Sequence, residues 1–445
     1  MNLTQDIFCE IPCLSEMSPV LDGLYLHKKW FKTGDKRTIG QHLQKFVNYN
    51  QSSFSFLGVQ PSINGVDQNT NLTFRSSNFI GTVPLRSSVT GKQVGDFVVI
   101  PRFQTKNTYI ELLDYLGNEI NPEYFDGLPL ASGKNFRPPL YLEAIKFIRL
   151  LEKLIQFDWI KFANFEKKLS TPSGQVNWNK YALDSWSPDK RLHFPSRINT
   201  LNEFHIEYSQ IKFVYNLCRN EINSHSTPIK IKSIFKDIFV FLDSKLYQHN
   251  PKPITKFTEN SAERILIREL KKSGNNFLSS NISNDTGWRI DFSIVFEKYV
   301  QKIFHEISKE TGHKFSANIR FKSSGFGNLS WSLSYFEPDL ILHRDQNLVF
   351  IDAKYKSHIL NKSSKSEILK EEHRKDLHQL LSYCSFDSEK NKLGILCYPS
   401  NKFECHEKRY TNPLNGTENI VRLVGIPLDI SELKSCKHQI QDTLN

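Results

Sequence analysis

The spacing of apolar residues divides the chain into three regions. Residues 1–135 carry short apolar runs separated by Ser, Asn, Thr, Gly and Pro, which predicts a β-rich N-terminal domain. Residues 136–255 carry apolar residues at helical spacing and are predicted to form a helical middle region, with helices over residues 138–169, 203–222 and 230–249. A polar bridge that includes residues 271–287 leads into the last region.

The C-terminal region, residues 256–445, switches between helical and strand periodicity. Its apolar positions predict two helices, over residues 288–312 and 363–386. Between and after them, the pattern predicts strands over residues 314–322, 329–342, 348–356, 392–399 and 419–428. The order α-β-β-β-α-β describes an α/β domain in which a mixed sheet is flanked by helices.

Charged residues interrupt two of these predicted strands. Asp339 follows Pro338 in one strand, and Asp352 lies two residues before Lys354 in the next. Residues i and i+2 of a strand share a face, so Asp352 and Lys354 point the same way, and a hairpin places Asp339 beside them. Two neighbouring carboxylates repel each other and are costly to bury.

A divalent cation removes this conflict. Mg²⁺ prefers oxygen ligands, takes one or two carboxylates and keeps several waters, and Mn²⁺ can substitute for it. A cation at Asp339 and Asp352 would polarise a phosphate and activate water, while the Lys354 ammonium would offset negative charge in the transition state. The three side chains therefore predict metal-assisted hydrolysis of a phosphodiester.

This arrangement resembles the PD-(D/E)xK nuclease superfamily, whose motif positions these three residues match. Glu297, on the helix before the sheet, stands where many members have a further acidic residue, so the resemblance implies that it is a catalytic residue and metal ligand. Gln379 and Tyr383 match the Q-x-x-x-Y of the RecB-like branch, where this pair supports the active site and the DNA. Lys356 is a further candidate contact to phosphate.

Residues 285–400 more closely resemble the nuclease subunit of McrBC-type and LlaJI-type restriction systems. The matching segments are IDFSIVFEKYV, EPDLIL, VFIDAKYK and DLHQLLSY. The resemblance implies a restriction endonuclease that cuts double-stranded DNA in antiviral defence and works with a separate, McrB-like AAA+ GTPase. It leaves open whether 5-methylcytosine is required.

The composition agrees with a polyanionic partner inside the cell. The chain has 58 Lys and Arg against 47 Asp and Glu, a formal charge of +11 and a pI near 9.1. No signal peptide is recognisable and no apolar run approaches the roughly 20 residues of a membrane span, so we expect a cytoplasmic protein without a membrane partner. There is no G-x-x-x-x-G-K-[ST], which argues against nucleotide binding through a P-loop.

Two other hypotheses stay open at this point. One is a stand-alone type II restriction endonuclease, which needs no partner. The other is a DNA-binding or assembly subunit that keeps a nuclease fold without cutting. The intact aspartates and lysine argue against the second, since buried charges cost stability when no metal is bound.

Overall fold

The computed structural model describes most of the chain. The described residues are 7–15, 17–26, 39–66, 69–103, 108–116, 120, 122–125, 139–157, 159–202, 205–225, 227–282, 287–322, 334–344, 347–356, 367–387, 391–414 and 416–444. The strands in this part are β1 Ile7–Pro12, β2 Leu21–Asp22, β3 Val59–Asn64, β4 Asn71–Ser76, β5 Phe79–Arg86, β6 Gln93–Ile100, β7 Glu123–Tyr124, β8 Lys161–Leu169, β9 Gln175–Val176, β10 Phe194–Asn202, β11 Trp288–Asp291, β12 Lys314–Ala317, β13 Phe321–Lys322, β14 Tyr335–Phe336, β15 Leu340–Arg344, β16 Asn347–Ala353, β17 Asn391–Ser400, β18 Glu404–Thr411 and β19 Glu418–Pro427. The α-helices are α1 Gly23–Leu26, α2 Ile39–Tyr49, α3 Gln51–Phe56, α4 Thr108–Leu116, α5 Leu140–Ile155, α6 Trp178–Asp184, α7 Ile206–Ile222, α8 Ile229–Leu246, α9 Ile265–Ile282, α10 Phe292–Thr311, α11 Glu367–Cys384 and α12 Ile430–Asp442.

These elements form two compact units. One unit consists of Met1–Pro138 together with Asn284–Asn445, and the other consists of Pro139–Ser283. The first unit therefore contains the N-terminal β-rich segment and, from residue 284 onward, the predicted α/β region. The three boundaries predicted from the sequence, 1–135, 136–255 and 256–445, stay a prediction.

A five-stranded sheet joins the two segments of the first unit. Its order is β1-β6-β5-β11-β7, so β11 comes from the C-terminal segment and pairs with two N-terminal strands. The close pairing requires Gly81, which has a φ of 149° and whose position would bring any Cβ against the Trp288 carbonyl. Asp291, at the end of β11, then caps α10 by accepting a hydrogen bond from the Ser293 N–H at 2.9 Å.

The C-terminal segment forms a six-stranded mixed sheet. Its order is β12-β15-β16-β17-β19-β18, with β16, β17 and β19 parallel and the other pairs antiparallel. Helix α11 packs on one face through Leu380, Tyr383 and Cys384, against a cluster of sheet residues that comprises Ile341, Phe350, Leu396 and Val421. The expectation of a mixed α/β fold with a C-terminal mixed sheet is confirmed.

The second unit combines helices with a small sheet. Helices α5, α7, α8 and α9 belong to it, together with α6 and the antiparallel sheet β8-β10-β9. Helix α9 contains Gly274, where a Cβ would meet the rings of Phe147 and Phe257 at 3.0 and 2.6 Å, so glycine permits this close packing.

Several details of the predicted secondary structure were wrong. The long helix predicted over 138–169 ends at Ile155, and Lys161–Leu169 is a strand that pairs with β10. The predicted polar bridge at 271–287 is largely part of α9. The helix predicted from residue 288 begins at Phe292, because the four residues before it form β11.

No helix in the described part of the chain is long and apolar enough to cross a membrane.

Candidate active site

Asp339 and Asp352 lie across from each other at the ends of β15 and β16. The antiparallel register pairs Leu340 with Ile351, and extending it by one residue brings the two aspartates opposite. Asp352 is buried, with 1% of its surface exposed, and Asp339 is partly buried. The Ala353 N–H donates to Oδ2 of Asp339 at 2.7 Å, which fixes that carboxylate against the neighbouring strand. The structure thus brings together the two carboxylates predicted from the sequence.

Lys354 completes this arrangement. Its Nζ lies 2.6 Å from Oδ2 of Asp352, and its side chain is only 12% exposed. Its backbone N–H donates to the Cys397 carbonyl at 2.8 Å, so the pairing with β17 continues past the end of β16. Oδ1 of Asp352 is buried and has no hydrogen-bond partner among the described residues. One oxygen of this aspartate is therefore paired with the lysine and the other is available to a ligand.

Glu297 approaches the site from α10. The Gln301 side-chain amide donates to Oε1 of Glu297 at 3.1 Å and to the Asp339 carbonyl at 3.0 Å. The same amide donates to Oδ1 of Asn318 at 2.6 Å, and the Asn318 amide donates to Glu297 at 3.3 Å. These two amides hold Glu297 next to the backbone of Asp339. The sequence reasoning missed both, although Gln301 lies one helical turn after Glu297.

Gln379 and Tyr383 lie together on α11. The Gln379 amide donates to the Tyr383 hydroxyl at 2.7 Å, and that hydroxyl donates to the Glu337 carbonyl at 3.3 Å. The pair therefore ties α11 to the backbone just before Pro338-Asp339. Lys356 lies beyond Lys354, with its Nζ 2.6 Å from Oδ1 of Asp376, an acidic residue that the sequence reasoning did not single out.

Burial and mutual repulsion control the ionisation of the carboxylates. Burial, the Asp352 charge and the Glu297 charge raise the pKa of Asp339 to about 7, although the hydrogen bond from Ala353 opposes the change. Burial also raises the pKa of Asp352, against the pull of Lys354. Burial disfavours the Lys354 ammonium, but the nearby Asp352 and Asp339 charges outweigh burial and raise the pKa of Lys354. When they are ionised, the acids of the site would carry more negative charge than Lys354 alone balances.

The donor set fits a divalent cation such as Mg²⁺. No group of three His, Cys, Asp or Glu side chains that could hold a metal occurs in the described residues. Mg²⁺ does not need such a group, because it is commonly bound through one or two carboxylates and completes its shell with waters and substrate phosphates. The two opposed aspartates, one with a buried oxygen that lacks a donor, match that requirement.

The sequence matches one known protein family over most of its length. The family described as McrBC 5-methylcytosine restriction system component matches residues 140–399, more than half of the sequence. The chain belongs to this family. The matched range includes Glu297, Asp339, Asp352, Lys354 and Tyr383, and the resemblance to McrC-type restriction subunits is confirmed.

Two solved structures from Thermococcus gammatolerans are similar to the chain at 14% identity. One is a half-complex from a tetradecameric assembly of McrB AAA+ hexamers with bound McrC, and the match covers 98% of this chain and 99% of that chain at a TM-score of 0.43. The other is a cryo-EM structure of the McrBC complex, with 67% and 88% covered at a TM-score of 0.28. These scores are too low to support an argument about this chain. No curated protein matches the sequence.

Proposed function

We propose that this protein is the Mg²⁺-dependent DNA endonuclease subunit of a McrBC-like restriction system. The observation that carries the proposal is the pair of opposed aspartates, with the Lys354 ammonium 2.6 Å from one of them. Such a grouping suits phosphodiester hydrolysis, and membership of the McrBC family supplies the biological setting. Mn²⁺ is expected to substitute for Mg²⁺.

The fold around the aspartates supports a PD-(D/E)xK nuclease domain of the RecB-like type. Helix α10 precedes the antiparallel pair β15 and β16, and α11 connects that pair to the parallel strand β17. This order matches the predicted α-β-β-β-α-β arrangement. It places the two aspartates at adjacent strand ends and the Gln379–Tyr383 pair on the helix that covers the same face.

Each side chain has a chemical role in this proposal. Asp339 and Asp352 would hold the cation, and Glu297 would orient a water near Asp339. A bound divalent cation polarises the scissile phosphate and makes water a better nucleophile. Lys354 would stabilise the negative charge that develops on the phosphate oxygens in the transition state, and Tyr383 would hold the Glu337 backbone that leads into Asp339.

A separate motor protein is part of the proposal. The chain has no P-loop of its own, and its family comprises components of a multi-part restriction system. We therefore expect a McrB-like AAA+ GTPase to supply the nucleotide-dependent step, while this subunit cuts double-stranded DNA.

The experiment that tests this function is plasmid cleavage in Mg²⁺. The protein would be assayed alone, with the AAA+ protein encoded beside it, and with that protein plus GTP. Each assay would use methylated and unmethylated DNA. We expect cleavage that requires the motor, GTP and Mg²⁺. Cleavage by the subunit alone at the same rate would instead favour a stand-alone restriction enzyme, and no cleavage in any arm would favour a non-cleaving assembly subunit.

A further inference from the structure

Asp376 is a buried acid on the inward face of α11. The buried residues of this helix are Asp376, Leu380, Tyr383 and Cys384, and only the first of them is charged. Only 1% of the surface of Asp376 is exposed. A carboxylate in such a position is costly unless a cation compensates for it. The position of this acid on the apolar side of an amphipathic helix therefore requires an explanation.

Lys356 is the compensating cation, and the pair is strongly asymmetric. Its Nζ lies 2.6 Å from Oδ1 of Asp376, while its side chain is 41% exposed, against 1% for the acid. The acid is buried, whereas the lysine side chain is partly exposed. A lysine ammonium has three donor hydrogens, so a single carboxylate leaves donors available to another anion.

The two residues before Lys356 are held by contacts with distant parts of the chain. Lys354 is tied to β17 by the hydrogen bond from its N–H to Cys397. Between the two lysines, the Tyr355 side chain is buried, and its hydroxyl lies 2.8 Å from Sγ of Cys13. The Tyr355 ring also packs on Phe292, with a centroid distance of 5.1 Å. These contacts fix the backbone that leads to Lys356. The ion pair with Asp376 then restrains the conformation of the Lys356 side chain.

Asp376 and Lys356 lie close enough to Asp352 to act on its charge. The Asp376 charge raises the pKa of Asp352, after the larger effect of burial, and the Lys356 charge lowers it. Asp376 also acts on Lys354 by favouring its charged form. The pair is therefore part of the electrostatic environment of the candidate active site.

We propose that Asp376 is a positioning residue, which holds the Lys356 ammonium two residues beyond Lys354 so that it binds a phosphate group of the DNA strand being cut. The inference rests on the proposed nuclease function and adds a second lysine–carboxylate pair to it. Lys354 and Lys356 have different tasks in this arrangement. Lys354 neutralises charge at the reacting phosphate. Lys356, paired with Asp376, orients the DNA strand.

A double-mutant cycle tests this proposal. Lys356→Met and Asp376→Asn are each expected to lower the single-turnover rate of Mg²⁺-dependent cleavage by about 10–100-fold, the usual cost of removing a residue that orients another. The double variant should cleave no more slowly than the poorer single variant, because both substitutions remove the same positioned ammonium. Lys356→Met should also reduce the slope of log Kd for DNA against log salt by about 1, whereas Asp376→Asn should not, since the lysine charge remains.

A second lysine–carboxylate pair provides the matched control. Nζ of Lys437 lies 2.6 Å from Oε1 of Glu310, at the same distance as in the Lys356 pair. Lys437→Met and Glu310→Gln are expected to cleave like the wild type. Thermal unfolding shows which variants are folded, and Asp376→Ala, which also removes the carboxylate, replaces Asp376→Asn in the cycle if the latter is not.

The outcomes separate this inference from the function on which it rests. If the wild type cleaves and Asp376→Asn cleaves equally well, the positioning role is overturned. It is also overturned if the double variant loses the product of the two single losses, because the acid would then act independently of Lys356. A wild-type protein that cleaves nothing with any partner contradicts the nuclease function itself.

Discussion

Asp352→Asn is expected to lower the rate of DNA cleavage by at least about 10³-fold, while DNA binding stays close to that of the wild type. Asparagine has nearly the shape of aspartate but carries no charge, so it cannot serve as an anionic cation ligand. Asp352 is buried, one of its oxygens pairs with Lys354 and the other has no hydrogen-bond partner among the described residues, so the substitution removes a cation ligand and also weakens the pairing with Lys354. Single-turnover cleavage in Mg²⁺, with the AAA+ partner and GTP present, measures the loss.

The control for this variant is Asp237→Asn. Asp237 is exposed on α8 and belongs to no proposed site. This variant makes the same change from aspartate to asparagine outside the site, so it should cleave DNA at the wild-type rate. If Asp352→Asn is folded and retains the wild-type rate, Asp352 does not hold a catalytic cation.

Lys354→Met is expected to lower the cleavage rate by about 10²–10³-fold, the range found when a group that stabilises transition-state charge is removed. Methionine has a similar apolar stem but no ammonium. The loss of the ammonium also changes the pH dependence, because Lys354 holds down the pKa of Asp352 against the larger effect of burial. Without it, Asp352 ionises at a higher pH, so the rising limb of the pH–rate profile should move to higher pH.

Lys354→Arg distinguishes charge from geometry. Arginine keeps the positive charge, but its planar guanidinium is longer and cannot occupy the place of an ammonium 2.6 Å from Asp352 in a pocket where the lysine is only 12% exposed. Compared with Lys354→Met, we expect Lys354→Arg to return the pH–rate profile towards its wild-type position but to recover less of the cleavage rate. A rate equal to that of the wild type would show that only the local charge matters, and full activity of Lys354→Met would remove this residue from the mechanism.

The grouping of the two aspartates could be predicted because it depends on local rules. They flank a short hairpin, and strand alternation alone decides that Asp352 shares a face with Phe350 and Asp339 with Ile341. Phe350 and Ile341 pack against α11. Once the two strands are recognised, their pairing is enough to predict that the two carboxylates lie side by side.

Features that depend on distant partners could not be predicted. Trp288–Asp291 continues the apolar pattern of the helix that follows, and it becomes a strand because Phe79–Thr82, far away in the sequence, pairs with it. β18 has no apolar alternation, since nearly all of its side chains are exposed, and it is a strand only through its pairing with β19. Tertiary pairing determines the structure in both places.

Asp376 was missed for a related reason. It belongs to a helix rich in Lys and Glu, where an aspartate normally indicates a solvated face. Its spacing does indicate an inward position. Asp376 lies three residues before Gln379 and seven before Tyr383, on the side of the helix that faces the sheet. Its burial and its contact with Lys356 distinguish this acid from its exposed neighbours.

The most direct test of the account is Mn²⁺ binding, followed through the paramagnetic resonance signal of free Mn²⁺ with the wild type and Asp352→Asn. Protons compete with the cation for Asp339, whose pKa is raised to about 7, so wild-type affinity should rise by about tenfold between about pH 6 and about pH 8. Asp352→Asn should lose this site. Equal Mn²⁺ binding by the two proteins, or wild-type cleavage of DNA without a cation at these aspartates, would contradict the account.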